Sequence, residues 1–383
     1  MKILAIICEF NPFHNGHKYL FERAKKLTGA DYVLCIMSGS FTQRGEMCIF
    51  DKYTRAKHAI SGGADCVIQL PSPFAVAPAE IFARGAIKIL SSIPEVASLV
   101  FGCENENKQS FIDAAKLLKN EDGKFKSKLK EMLDSGESYV KSYASAFEAC
   151  GGNGQLVSNP NNILGLEYTK AILTENANIE ILPVKRKGAD YNDGELKENY
   201  SSASAIRQNL NCRKVESNLP DFVFKDLKYA EKTDEFDSTL RHSLFRAAPD
   251  SLKRIYGCGE GLENKLKSLQ NLPLDEIIKQ ATSKRYSSSR IRRILCANVL
   301  EQYQDDCEKY LVSDLYIKPL AVKKDCADII LSAIAKSNYP VITGIGTEKL
   351  THTSCECFQK DRHEFELYNF LTHSNKKDYM IIV

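Results

Sequence analysis

Short apolar runs alternate with amphipathic stretches through the first half of the chain. Leu4–Cys8, Tyr32–Met37, Cys66–Leu70 and Leu99–Gly102 are continuous apolar runs, the pattern of strands buried on both faces. Helical spacing between them predicts helices over Lys18–Leu27, Asp51–Ser61 and Ala79–Ser91, with Asp51 placed to cap the second and Pro78 to enter the third. Strand and helix alternating at this spacing imply right-handed crossovers and a parallel sheet, so the fold class is α/β. From Asn107 to Cys150 the pattern turns mainly helical, and the charged face from Lys124 to Glu131 reads as solvated surface. Gly151-Gly152-Asn153-Gly154 interrupts it, after which Ile163–Thr174 reads as a helix, Ile179–Val184 as a strand and Ser202–Leu210 as a helix. Beyond Asp221 helical patterns dominate, at Ser238–Phe245, Glu263–Gln270, Ser288–Leu300 and Cys326–Ala335. A boundary between 215 and 235 divides the chain into an α/β domain over 1–220 and a mainly helical C-terminal domain over 221–383.

Composition adds exclusions. With 383 residues the chain is long enough for two domains, and 43% hydrophobic with 26% charged residues excludes disorder and fibrous repeats. No apolar stretch approaches the roughly 20 residues that span a bilayer, so no membrane partner is expected. The first apolar run is too short for a secretory h-region and leads into Glu9 without a cleavage site, which places the protein in the cytoplasm. The 13 cysteines are scattered, and Cys355-x-Cys357, the one close pair, lacks a second half-site; reduced thiols are expected rather than zinc or disulfides. A net charge of +3 is too small to define a partner.

The chemistry concentrates where the first strand ends. Pro12 turns the chain there and a helix opens within His14-Asn15-Gly16-His17-Lys18. His14 and His17, three apart, share one face of the first turn, beside free backbone N–H groups and the positive end of the helix dipole. Two imidazoles so placed can hold nucleotide phosphates and the charge that develops when phosphorus is attacked. Gly16 leaves room for a ring or phosphate against the backbone. Metal-binding helical pairs favour i,i+4 spacing with a third ligand, and no such ligand is evident, so no metal site is expected.

His14-Asn15-Gly16-His17 resembles the HxGH signature of nucleotidylyltransferases and class I aminoacyl-tRNA synthetases, and Ser201-Ser202-Ala203-Ser204-Ala205-Ile206-Arg207 is similar to their second, ISSTxIR-type signature. Physically the second motif offers hydroxyls and one guanidinium for phosphate oxygens. The resemblance narrows with Glu9-Phe10-Asn11-Pro12-Phe13, Met37-Ser38-Gly39-Ser40-Phe41-Thr42-Gln43-Arg44-Gly45-Glu46 and Asp51-Lys52-Tyr53-Thr54-Arg55-Ala56. Phe101-Gly102-Cys103-Glu104, Pro160-Asn161-Asn162-Ile163-Leu164-Gly165, Arg186-Lys187-Gly188, Glu260–Asn264 and Lys284-Arg285-Tyr286 follow in order. On these motifs the chain resembles the bacterial tRNA(Met) cytidine acetate ligase family over most of its length.

That resemblance implies a Rossmann-like nucleotidylyltransferase sheet and an enzyme that forms acetyl-AMP from acetate and ATP, without acetyl-CoA. The acetyl group would then pass to N4 of the wobble cytidine, position 34, of elongator tRNA(Met). ATP contacts carry over to Ile7, Cys8, Glu9, Phe10, Asn11, Pro12, Phe13, His14, Asn15, Gly16, His17, Lys18, Tyr19 and Leu20. They also carry over to Gly102, an asparagine of the pair Asn161 and Asn162, and Arg186. The expected catalytic set is His14, His17, Ser202, Ser204 and Arg207. Mg²⁺ would arrive with the ATP phosphates, since no carboxylate cluster offers a protein-built site.

Several residues are read on their own chemistry. Arg44 and Arg55 could each reach phosphate or acetate, with a solvated arginine as the alternative. Lys279, Lys284, Arg285, Arg290, Arg292 and Arg293, with Tyr286 among them and no acid, form the basic stretch best suited to tRNA. Arg254-Ile255-Tyr256-Gly257-Cys258-Gly259 has the RxxGxG spacing of a pyrophosphate cradle but no preceding strand, and reads as a turn. Glu9 and the two histidines are the candidates for a general base. A cofactor-making nucleotidylyltransferase would share both signatures, and a non-catalytic ATP- and tRNA-binding protein would share the overall pattern. No protein partner is evident.

Overall fold

In a computed structural model, which describes residues 1–119, 123–188, 195–232 and 234–383, seven strands form one sheet. They are β1 (Ile3–Cys8), β2 (Tyr32–Ser38), β3 (Cys66–Leu70), β4 (Val96–Cys103), β5 (Glu180–Lys185), β6 (Pro319–Val322) and β7 (Ile381–Ile382). Their order is β5-β4-β1-β2-β3-β6-β7. The first five run parallel, as the alternating pattern predicts, and β6 joins β3 antiparallel with Cys66 opposite Val322. Strand order reverses at β1, whose neighbours are β2 and β4, so a crevice opens beyond its carboxyl end.

Crossovers include α1 (Asn15–Thr28), α2 (Lys52–Gly62), α3 (Ala79–Ser91) and α4 (Pro160–Thr174). The short α5 (Ala203–Gln208) follows β5, and the C-terminal half contributes α6 (Ser288–Val299) and α7 (His352–Leu371) among its helices. Asp51 caps α2 as expected, its carboxylate accepting the N–H groups of Tyr53 and Thr54.

Alternate residues of each strand feed two cores. Ile3, Ala5, Leu34 and Ile36 face one side, with Ile87, Tyr310, Ile317 and Phe358. Leu4, Ile6, Val33 and Cys35 face the other, with Phe21, Ala56, Ile291 and Leu295. Helical residues beyond 221 therefore pack on both faces of the same sheet.

The hydrophobic pattern missed the start of β4 and the whole of β6, β7 and α7, each for a physical reason. β4 starts at Val96 rather than Leu99; Ser98, buried at 6% exposure, interrupts the apolar run and hid the strand's first residues. β6 and β7 have four and two residues, too few for a pattern. The long α7 buries Asp361 and Glu364 among its apolar positions, which hid its inward face from a hydrophobic reading. All 13 cysteines are free. No described helix is long and apolar enough to cross a membrane.

Candidate functional site

The two histidines are the ends of a capping box. His14 is the N-cap of α1 and its Nδ1 accepts the Gly16 N–H at 3.0 Å; His17 sits at the third helical position and its Nδ1 accepts the His14 N–H at 3.2 Å. The rings stack with centroids 3.7 Å apart. Because each Nδ1 takes a backbone proton donor, each neutral ring carries its own proton on Nε2. Burial, reinforced by the Arg186 and Arg207 charges, lowers the His14 pKa to about 3. Burial, His14 and Arg186 hold His17 well below the ordinary histidine range. At neutral pH the pair is therefore uncharged and presents two Nε2–H donors. Neither ring offers a free basic nitrogen, which removes both from the candidates for a general base.

Gly16 has a nearer reason than ligand approach: a Cβ there would lie 2.8 Å from Cε1 of His14, inside the capping ring. The motif is thus a helix start whose side chains also supply donors.

A cleft of about 250 Å³ opens above this turn, at the carboxyl ends of β1 and β4. Ile7, Cys8, Glu9, Phe10, Asn11, His14, Gly16, His17, Tyr19 and Leu20 line it from β1 and α1, and Gly102, Asn161 and Arg186 from the β4 side. Ser202, Ser204 and Arg207 close it from α5, so both signature motifs meet across one space. Pro12, Phe13, Asn15, Lys18 and Asn162 do not line it. Phe13 is fully buried in the aromatic cluster with Phe10 and Phe21. Asn15 donates from Nδ2 to the carbonyls of Asn199 and Ser217, and Lys18 is exposed. Within the asparagine pair, Asn162 Oδ1 accepts the Glu104 N–H at 2.9 Å and serves the turn. Asn161 faces the cleft, bonding Arg186 through Oδ1 at 3.0 Å and Glu104 through Nδ2 at 2.7 Å.

Arg207 donates to the Asn11 carbonyl at 2.7 Å, to the Glu46 carboxylate and, at 3.4 Å, to Ser204 Oγ. Ser202 caps α5, accepting the Ala205 N–H at 3.1 Å. Arg44 donates to Ser204 Oγ at 3.4 Å, so it belongs to the cleft. Glu9 accepts the Gln43 N–H at 2.6 Å, and burial raises its pKa from the ordinary carboxyl value. Within the Met37–Glu46 motif, where the sequence singles out only Arg44, three residues each hold one group of the site: Gln43 holds Glu9, Arg44 holds Ser204 and Glu46 holds Arg207.

Arg55 is a correction. It is fully buried and, among the described residues, donates only to main-chain carbonyls: those of Phe50 at 3.1 Å, Glu9 at 2.6 Å, Ser38 at 3.1 Å, and Gly39. It ties the carboxyl ends of β1 and β2 together and does not line the cleft.

Lys187 Nζ lies 4.9 Å from the Tyr200 ring centroid and 5.7 Å from that of Tyr19, and all three line the cleft edge. Lys187 was legible beside Arg186; Tyr200 carried no sequence signal.

The basic stretch divides. Lys279 and Arg285 are exposed, paired at the surface with Glu276 and Glu260, and exposed Lys284 donates to the Gly136 carbonyl at 3.1 Å. Arg290 instead donates to the Gly257 carbonyl and stacks on Tyr286, and Arg292 pairs with Asp237 at 3.1 Å. Burial lowers the Arg293 pKa to about 10. Arg254–Gly259 is a turn before the helix Leu262–Ser268, as read, and its Gly257 carbonyl is the one Arg290 holds. Among the described residues no group of three or more His, Cys, Asp or Glu side chains could hold a metal ion.

A parallel sheet with a crevice at its switch point, an HxGH capping box and a facing serine-arginine motif define a nucleotidyl transferase of the HIGH type. The description HIGH Nucleotidyl Transferase matches residues 1–380. Over 96% of this chain and 95% of theirs, it is 34% identical to a tRNA(Met) cytidine acetate ligase of Thermoanaerobacter sp. (strain X514) and 36% identical to one of Clostridium botulinum (strain Langeland). Crystal structures of Thermotoga maritima TmcAL superpose over the full length of both chains at 27% identity, with TM-scores of 0.90 for the apo form and 0.89 for the form bound with alpha-thio ATP. The chain belongs to the tRNA(Met) cytidine acetate ligase family of HIGH nucleotidyl transferases.

Proposed function

We propose that this protein is a cytoplasmic, ATP-dependent acetate ligase that acetylates N4 of the wobble cytidine of elongator tRNA(Met). The observation that carries the reading is the pair of neutral imidazoles, each with Nε2–H available, facing Ser202, Ser204 and Arg207 across one cleft. The family relationship supplies the substrates.

In the first step a carboxylate oxygen of acetate attacks the α-phosphorus of ATP. The bond to the bridging oxygen breaks, pyrophosphate leaves and acetyl-AMP forms. Phosphoryl transfer asks the protein mainly for positioning and charge stabilisation. His14 and His17 donate from Nε2 to phosphate oxygens without adding charge, while Arg207, Ser202 and Ser204 meet the departing pyrophosphate. Gly102, Asn161 and Arg186 hold the nucleotide from the β4 side. Mg²⁺ would arrive with the ATP as its chelate; Glu9 and Glu46 are engaged by the Gln43 N–H and Arg207.

In the second step the cytidine amine attacks the acetyl carbonyl, an amide forms and AMP leaves with the bonding electrons. The amine must lose a proton. Glu9 suits this role because its pKa is raised by burial and its carboxyl is oriented by one backbone N–H. Lys279, Lys284 and Arg285 are the exposed members of the surface for tRNA phosphates, within the unit that starts near residue 221.

The test is incubation with ATP, labelled acetate and elongator tRNA(Met), followed by nucleoside digestion. Label should appear in N4-acetylcytidine. Label entering only from acetyl-CoA, or none entering, overturns the reading.

A further inference from the structure

The polypeptide between β2 and α2 reaches the cleft at three points: the Gln43 N–H on Glu9, Arg44 on Ser204 and Glu46 on Arg207. What fixes that segment lies outside the cleft. Glu364, in the middle of α7 and 324 residues along the chain from Ser40, is fully buried. Its Oε1 accepts the N–H of Ser40 and, at 3.1 Å, the N–H of Phe41. The carbonyl of the same Gly39–Ser40 peptide accepts from Arg55. One peptide unit is thus gripped at its oxygen by a guanidinium and at its nitrogen by a carboxylate.

Close packing prevents the segment from lifting away. A Cβ on Gly39 would fall 2.3 Å from Glu364 Oε2, so the backbone lies directly against the carboxylate. Downstream the segment folds back on itself through Thr42 N–H to the Glu46 carbonyl and Cys48 N–H to the Ser40 carbonyl, both at 2.9 Å. A shift at Ser40 therefore carries through to Gln43, Arg44 and Glu46.

We propose that Glu364 is a positioning residue for the adenylation site: by accepting the Ser40 and Phe41 N–H groups it sets the 41–47 segment, and through it Glu9, Ser204 and Arg207. A carboxylate is otherwise a poor choice for this place. Buried acids cost free energy unless their bonds are needed, and an apolar residue would pack here more cheaply. Only an acceptor can satisfy two converging N–H groups, and a site used in catalysis must be held to within roughly half an ångström by its supporting shell.

The inference rests on the proposed ligase reading for its kinetic arm and is independent of it for its structural arm. Glu364→Ala, Glu364→Gln and Gly39→Ala are compared with the wild type. Acetate-dependent release of pyrophosphate from ATP gives kcat and KM, and amide hydrogen exchange gives protection at Ser40 and Phe41. Glu364→Ala and Gly39→Ala should lower kcat at least tenfold with KM for ATP changed less than threefold. Exchange at the two amides should rise at least tenfold while β1 and β4 stay protected. Glu364→Gln keeps an acceptor oxygen and should restore both measurements to within threefold of wild type.

Wild-type kcat in Glu364→Ala, or impairment of Glu364→Gln equal to that of Glu364→Ala, overturns the assignment. So does unchanged exchange at Ser40 and Phe41. If the wild type releases no pyrophosphate with acetate, the ligase reading fails while the exchange comparison still decides whether Glu364 holds the segment. If Glu364→Ala does not fold, Gly39→Ala tests the same contact from the other side.

Discussion

Replacing Arg55 by methionine separates a structural arginine from a ligand-binding one. The side chain keeps most of its volume, so the cavity contribution is small, and what is lost is the donor set. Four carbonyls, of Phe50, Glu9, Ser38 and Gly39, are left without it. An acceptor stranded in the interior costs about 1–3 kcal/mol, so even at the low end the four amount to about 4 kcal/mol. That is a large fraction of the roughly 5–15 kcal/mol by which a folded domain exceeds its unfolded state. Lysine, with a compact ammonium rather than a planar fork, cannot serve all four and should recover part of the loss. Urea unfolding followed by circular dichroism measures the stability, and calorimetric titration measures ATP affinity of the folded variant at low temperature. The expected result is a loss of about 4 kcal/mol for Arg55→Met, a smaller one for Arg55→Lys, and an ATP dissociation constant that follows only the folded fraction. Stability within about 1 kcal/mol of wild type together with a tenfold weaker ATP complex would refute the argument and return Arg55 to the cleft.

Other expectations follow from the same geometry. Proton-detected nitrogen NMR should find His14 and His17 as neutral Nε2–H tautomers at pH 5.5; an imidazolium or an Nδ1–H ring there contradicts the capping box. A folded-state pKa of about 3 against an ordinary 6.5 means the unfolded chain binds the extra proton first, so the stability tied to His14 is complete above 6.5 and lost as pH falls towards 3. Glu364 has the opposite sign. Burial and then Asp361 raise it from 4.5 to about 7, against Lys52 and the Ser40 and Phe41 N–H groups, with Cys48 and Cys296 also facing it. Its folded form keeps a proton the unfolded form has lost, so stability declines from pH 4.5 to about 7, by about 3 kcal/mol at 1.36 kcal/mol per tenfold change in proton affinity. The stability gap between Glu364→Gln and wild type should move in favour of the variant between pH 4.5 and 8, and a gap independent of pH would contradict this. Glu46→Gln removes the charge that fixes Arg207 on the 41–47 segment and should lower kcat for acetate-dependent pyrophosphate release several-fold; wild-type kcat would mean that Glu46 does not hold Arg207. Reversing charge at Lys279, Lys284 and Arg285 together should weaken tRNA binding and flatten its salt dependence, leaving pyrophosphate release from ATP and acetate unchanged.

The sheet was legible because its first strands are buried on both faces, so continuous apolar runs marked β1, β2 and β3 almost to their ends. The site was legible where residue type and local geometry coincide, as at His14, His17 and Ser202, which cap their own helices. Contacts between distant segments left no such trace. Nothing near Ser40 announces Glu364, and nothing in Asp51–Ala56 tells a buried Arg55 from an exposed one. The same limit hid α7, since a helix that buries carboxylates on purpose looks amphipathic in the wrong direction.

Local and distant devices meet in one arrangement. The HxGH turn is built largely from itself: it caps its own helix, fixes both tautomers and excludes a side chain at position 16 with its own ring, and Asn15 ties it to the carbonyls of Asn199 and Ser217. Arg207 and Glu9 depend on more distant groups, because the 41–47 segment that engages both hangs from the Gly39–Ser40 peptide, which Arg55 holds on one side and Glu364 on the other. The C-terminal half therefore reaches the segment that lines the cleft. Its long helix supplies a buried Glu364 to the backbone N–H groups of Ser40 and Phe41, and the backbone of α6 at Arg292 and Arg293 lies so close to Gly45 that a Cβ there would sit 2.5 Å from the Arg292 carbonyl oxygen. Both supports, Glu364 and the α6 backbone against Gly45, lie beyond residue 220, so the segment that engages Arg207 depends on the same C-terminal half whose β6 and β7 extend the sheet.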